Sequence, residues 1–191
     1  LYLMRIALEL AKDNRVYEGV ATKFFEHFIY IGAAMKKMGG REYGLWDEKE
    51  GFFYDVLRYP NGEFHKFRLR SLVGLIPLYG IEVLDREELQ AYPSFLRDVE
   101  WFIQNRSDLV GDACYAVDGG KRYVLSIADP NQFKRLLERI GDPEEFLSPY
   151  GIRALSRFHR EHPYTLQLNG EEYSIAYEPA ESSTGLFGGN S

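Results

Sequence analysis

Apolar residues recur along the first 12 positions, LYLMRIALELAK, so that Leu3, Ile6, Ala7 and Leu10 share one side of a 3.6-residue period. That spacing predicts an amphipathic helix over 1–12. Asp13-Asn14 breaks and recaps the chain. A second helix is predicted from Arg15 to Met38, with Val16, Val20, Phe24, Phe28 and Ile31 as its buried stripe and Gly39-Gly40 as its stop. The short connection makes the pair a helical hairpin.

Beyond Gly40 the period changes. FFYDVLRY and EFHKFRLR flank the turn Pro60-Asn61-Gly62 and predict a β-hairpin. Ser71 to Leu84 is apolar on nearly every side, which predicts an enclosed helix capped by Ser71 and kinked by Pro77. Asp85, with Glu88 three residues on, has a capping-box spacing and opens the helical segment that runs to Arg106. ACYAVDGGKRYVLSI predicts a second β-hairpin over Gly119-Gly120. DPNQFKRLLERIGD predicts a short helix with Pro130 at its first position and Gly141 near its end. SPYGIRALSRFH reads as a tight segment, and YTLQLNGEEYSIAYEP as a third hairpin over Asn169-Gly170.

The chain has 191 residues and 45% apolar content, which suits one globular domain. Its net charge of −6, with only short basic groups at Lys36-Lys37 and at Arg68 with Arg70, argues against a nucleic-acid partner. Cys114 is the sole cysteine, so no intramolecular disulfide forms, and a reducing, cytoplasmic setting is slightly favoured. No apolar run is long enough to span a bilayer, and no signal-peptide pattern opens the chain. Leu1 starts inside a helical pattern and SSTGLFGGNS stops in a loop, so the chain reads as an internal fragment of a larger protein.

Familiar catalytic motifs are missing from the sequence. Gly119-Gly120 and Gly188-Gly189 lack the strand-to-helix context of a phosphate cradle. His159 and His162, in HREH, do not have a metal-site spacing and read as surface or capping histidines. No serine occupies a nucleophile elbow. What remains are clusters of aromatics and carboxylates: Trp46, Asp47, Phe53, Tyr54 and Asp55, and later Tyr177, Glu178 and Glu181. Aromatic faces stack on the C–H patches of sugars while carboxylates and guanidinium groups hold hydroxyls. The same residues would equally make a hairpin whose aromatics cover a core. Arg70 and Arg153 are expected to have carboxylate partners, since an unpaired buried charge is costly. They either position a pocket group or tie a loop to a helix.

Four segments in order, LWDEKEGFFYDVL, RLRSLVGLIPLYGIEVL, FLSPYGIRALSRFH and YEPAESSTGLFGGNS, together resemble the bacterial branch of glycoside hydrolase family 63. The resemblance covers nearly the whole chain. It implies a mainly α fold, part of an (α/α)6 toroid of helical hairpins with β-hairpin excursions. It implies inverting hydrolysis of α-glycosidic bonds in glucose-terminated oligosaccharides or glycosyl-glycerates, with no metal or organic cofactor. Both catalytic carboxylates would lie outside residues 1–191, so no residue here is given a catalytic role. The residues expected to face a carbohydrate are Trp46, Asp47, Phe53, Tyr54, Asp55, Arg70, Tyr150, Arg153, Glu178 and Glu181. The alternative is a non-catalytic helical scaffold or carbohydrate-binding module. A partial ring would leave apolar helix faces uncovered, so the chain alone is expected to be aggregation-prone and to hydrolyse no glycoside.

Overall fold

A computed structural model describes residues 1–36, 44–111, 113–168, 170–179 and 181–182. They belong to two compact units, Leu1–Gly44 with Pro77–Asp129, and Leu45–Ile76 with Pro130–Ser191. The fold is mixed α/β. It corrects the expectation of a mainly α partial toroid, because most elements after the first two helices are short strands paired in small antiparallel sheets.

In the first unit α1 (Tyr2–Ala11) and α2 (Val16–Lys36) form the expected hairpin, but of the expected buried stripes only Ala7 and Phe28 are buried, with Phe24 half-buried. Met4, Ala7, Leu8 and Ala11 point inward from α1, and Ala21, Phe25, Phe28, Ile29 and Gly32 from α2. Leu3 and Ile6 are each 56% exposed, and Leu10, Val16, Val20 and Ile31 are exposed as well. Each helix has two apolar faces, and the buried one joins Phe25, Phe28, Ile29, Met4 and Leu8 with small residues in the core of this unit. At Gly32, an added Cβ would come 3.3 Å from the Ala113 Cβ. The expected stop of α2 at Gly39-Gly40 lies outside the described residues.

Two expected helices were replaced. Residues 71–84 form a 3-10 segment, Leu72–Tyr79, followed by a strand, Ile81–Asp85. Pro77 has no N–H for an α-helical bond, and the turns close three residues apart, Gly74 N–H onto the Ser71 carbonyl and Gly80 N–H onto that of Pro77. The segment is not enclosed, since Val73, Ile76 and Tyr79 are exposed. The segment expected after Asp85 is two helices, α3 (Arg86–Leu89) and α4 (Pro93–Asn105), because Pro93 cannot continue a helix but can start one, and a single further turn, α5 (Ser107–Val110), follows. Asp85 caps α3 as expected, accepting from the N–H groups of Glu87 and Glu88.

Numbered in chain order, the strands are β1 (Trp46–Asp47), β2 (Phe52–Phe53), β3 (Asp55–Arg58), β4 (Phe64–Phe67), β5 (Ile81–Asp85), β6 (Cys114–Val117) and β7 (Arg122–Ser126). They continue as β8 (Leu147–Ser148), β9 (Gly151–Ile152), β10 (Tyr164–Leu168), β11 (Glu171–Ile175), β12 (Tyr177–Glu178) and β13 (Glu181–Ser182). The three predicted hairpins are present as β3–β4, β6–β7 and β10–β11, and the helix expected at Pro130 is α6 (Pro130–Ile140). Strand β5 adds to the second hairpin, giving the order β5-β7-β6, whose inner face carries Leu84, Cys114, Tyr123 and Leu125.

These residues meet Phe25, Phe95, Val99 and Phe102 in the core of the first unit, with Phe25 edge-on to Phe95 and Phe102 at 6.2 and 5.7 Å. Burial pushes the Cys114 thiol up to about 12, so it behaves as a small apolar side chain. The N-terminus of α4 has no side-chain cap of its own. The buried carboxylate of Glu18 on α2 supplies one, accepting from the N–H groups of Ser94 at 2.8 Å and Phe95 at 3.3 Å. Replacing Glu18 with Ala should therefore lower unfolding stability by about 1–3 kcal/mol, and Glu18→Gln, which keeps an acceptor, by less. Equal urea midpoints for wild type and Glu18→Ala would show that the cap contributes nothing.

Candidate functional site

The sugar-facing residues expected from the sequence all fall in the second unit. The site begins with the β1–β2 hairpin, in which Trp46 pairs with Phe53 and Asp47 with Phe52. Asp47 closes the turn twice: its carbonyl accepts the Gly51 N–H at 2.7 Å and its Oδ1 the Glu50 N–H at 3.1 Å. Gly51 is required at φ +64°, where an added Cβ would also run into the Arg135 guanidinium. Burial would raise the Asp47 carboxyl, but the Glu50 N–H and the Arg68 guanidinium, at 3.1 Å, outweigh it and hold it below the usual carboxylate range.

The turn is anchored on Arg70. Its guanidinium donates to Glu50 at 2.6 Å and to Glu145 at 2.7 Å, and its carbon lies 3.8 Å from the centre of the Phe158 ring. Arg139 from α6 reaches the same Glu145 and the Glu50 carbonyl, and the Ser156 hydroxyl donates to the other Glu145 oxygen. Tyr54 lies 3.5 Å from Glu50 through its hydroxyl. The hydrogen bond from Arg70, with Arg139 adding its charge, holds the Glu50 carboxyl below its ordinary range. Every member of this buried network is paired, as the cost of an isolated buried charge demands.

His159 completes it. The Arg70 backbone N–H can only donate, so it meets Nε2 as an acceptor at 2.9 Å; the His162 carbonyl can only accept, so Nδ1 carries the proton at 2.8 Å. The ring is therefore neutral. Burial pushes its pKa below the ordinary 6.5, and the nearby Arg70 charge acts in the same direction, against the opposing pull of the His162 carbonyl and Glu145. Of the two histidines expected to be surface or capping residues, His159 is buried, which corrects the surface reading for it, whereas His162 is exposed.

A second buried arginine fixes the next loop. Arg153 donates to the carbonyls of Pro143, Glu145 and Leu147 and to the Tyr177 hydroxyl. It locks the base of the β8–β9 hairpin, and at the hairpin tip Tyr150 is 93% exposed. Phe52 stacks on Phe146 just before that hairpin, with ring centres 5.8 Å apart. Gly74 lies against both Phe52 and the Phe53 carbonyl, leaving no room for a Cβ.

The expected residues thus separate into two kinds. Phe53, Tyr54, Asp47, Arg70 and Arg153 are buried and hold the frame. Trp46 is half-buried, with the Arg135 guanidinium 5.5 Å from its ring centre and its indole N–H donated to Glu48 at 2.6 Å. Tyr150, Asp55 and Glu178 are exposed. Glu181 pairs with Glu178 through its backbone, and its side chain lies outside the described residues, as does most of the closing motif. Glu50, Glu145, Arg139, Ser156 and His159 were missed. The only sequence signal for them was the need of Arg70 for a carboxylate, which does not say which one.

No family model and no solved structure matches this chain. A Saccharomyces cerevisiae protein described as "Uncharacterized protein YMR196W" is 42% identical over 207 aligned residues, across the whole of this chain and 19% of its own length. The chain therefore spans about a fifth of that relative. Among the described residues, no helix is long and apolar enough to cross a membrane.

Two predictions concern the network. Arg70→Met strands Glu50 and weakens the pairing of Glu145, so unfolding stability should fall by about 3–5 kcal/mol; a loss under about 1 kcal/mol would show that the frame does not depend on this pair. Protonation of His159 supplies the other. The unfolded chain, with an imidazole near 6.5, binds more protons than the folded one as pH falls below that value, so stability rises with pH there. The urea midpoint should hold above about pH 7 and fall towards pH 5, with a shallower fall in His159→Gln. Identical slopes in the two proteins would contradict the assignment.

Proposed function

We propose that this chain is the sugar-facing part of a glycoside hydrolase that cleaves α-glucosidic bonds with inversion, its acid and base being carried elsewhere in a longer polypeptide. The observation that carries this reading is Tyr150. An aromatic ring 93% exposed contributes almost nothing to folding, yet it stands on a hairpin whose base is locked by a buried arginine with four acceptors. A stiff, exposed aromatic is suited to stacking on a sugar ring. Trp46, half-buried beside Arg135 and Glu48, offers a second, smaller aromatic surface with hydrogen-bonding groups at its edge.

The carboxylates of the frame support a holding role. A general acid at a glycosidic bond needs a raised pKa, and its partner carboxylate stands about 6.5–9.5 Å away to admit water. Asp47 and Glu50 are held low by their donors and act as permanent acceptors, which suits positioning and not proton donation. The resemblance to family 63 in four ordered segments and the much greater length of the yeast relative agree with an acid and base outside this chain.

In the longer polypeptide, Tyr150→Ala and Trp46→Ala should each lower kcat/KM on an α-linked glucose disaccharide about three- to tenfold, the scale of one aromatic contact. Thermal stability of Tyr150→Ala should match the wild type. Hydrolysis unaffected by both substitutions would make these rings irrelevant to substrate. Sugar binding without hydrolysis by the longer polypeptide would favour a carbohydrate-binding module instead.

A further inference from the structure

Beside α6 in the second unit lies an open depression of about 260 Å³, lined by Lys49, Glu50, Arg135, Glu138, Arg139 and Asp142. It is smaller than the roughly 300–1,000 Å³ of pockets for drug-sized ligands, which limits it to one small ring. Three cationic and three anionic side chains share its wall. An anion would face three carboxylates and a cation three positive groups, and such like-charge contacts reject both. A neutral molecule with several hydroxyls suits this wall, because each hydroxyl can donate to a carboxylate and accept from a cation.

Much of the wall is already fixed. Arg135 donates to the Glu48 carbonyl at 2.8 Å and the Lys49 carbonyl at 3.3 Å, and Arg139 is tied to Glu145 and the Glu50 carbonyl. The two arginines therefore need little further ordering on binding. Asp142 uses Oδ1 to accept the Glu144 N–H at 2.8 Å, and among the described residues its Oδ2 has no hydrogen bond or ion pair. Among the described residues, the Lys49 ammonium has no hydrogen bond or ion pair.

We propose that this depression is a subsite for one neutral pyranose ring, with Lys49 donating to one hydroxyl and Asp142 accepting from another. The assignment rests on the carbohydrate reading above, and its test is separable from it. The chain has two tryptophans, and Trp46 shares Arg135 with the depression, so in a Trp101→Phe background its emission responds to a sugar there, and loss of that response in Lys49→Ala and Asp142→Asn separates the depression from a sugar stacked on the Trp46 ring itself. Titration with methyl α-glucoside should give a saturable emission change or slowed amide exchange over residues 138–142. Lys49→Ala and Asp142→Asn, the latter keeping an acceptor for the Glu144 N–H, should each raise Kd about three- to tenfold.

Absence of both signals, unchanged Kd in both variants, or tighter binding of glucose 6-phosphate would overturn the subsite. Binding here without glycoside hydrolysis by the longer polypeptide would sink the hydrolase reading and leave the subsite standing. Hydrolysis without binding here would do the reverse.

Discussion

The guanidinium of Arg70 is the constraint on which the second unit is organised. A buried arginine is tolerated only when its charge is matched and its donors are used. Arg70 satisfies both demands by drawing together groups 20 and 75 residues away, Glu50 and Glu145. Once those carboxylates are in place, Arg139, Ser156 and the Phe158 ring have their own partners set. The Arg70 backbone N–H then selects the tautomer of His159. The short strands around it have few ladder bonds of their own, so side-chain pairing carries much of the work that long sheets would otherwise do.

The first unit is organised differently. Its core is apolar and aromatic, and the buried faces of α1 and α2 mix large side chains, Met4, Leu8, Phe25, Phe28 and Ile29, with alanine and glycine. Its main buried charge, Glu18, answers a backbone need, the unsatisfied N–H groups at the start of α4. The consequence is a set of large apolar side chains, Leu3, Ile6, Val16 and Ile31 among them, left on the outer faces of α1 and α2. Which large side chains are buried and which stay outside is a division the helical period alone does not decide.

In the proposed sugar-facing role, the same electrostatics separates holding from chemistry. Carboxylates locked to arginines stay ionised and accept hydrogen bonds at fixed points. The exposed ring of Tyr150, the half-buried ring of Trp46 and the mixed-charge depression beside α6 are what such a frame can present to a polyhydroxylated ligand. Gly51 and Gly74 belong to this frame as much as any charged residue, since each is where a side chain would displace Arg135 or Phe52.

Local patterns in the sequence determined the local elements. The α1–α2 hairpin, the turns at Pro60-Asn61-Gly62 and Gly119-Gly120, the Asp85 cap and α6 follow from period, turn residues and capping, all read within a few positions. The need of Arg70 for a carboxylate was also legible. Tertiary structure decided everything that depends on distant neighbours. Whether Ile81–Asp85 continued a helix or joined β7 depended on an open strand edge 40 residues on. Which face of α1 was buried depended on the core residues packed against it, and which glutamate met Arg70 depended on a loop brought back from residue 145. Period and turn chemistry act through the chain's own backbone; burial and charge pairing act through space, and spatial neighbours are fixed only once the chain has folded.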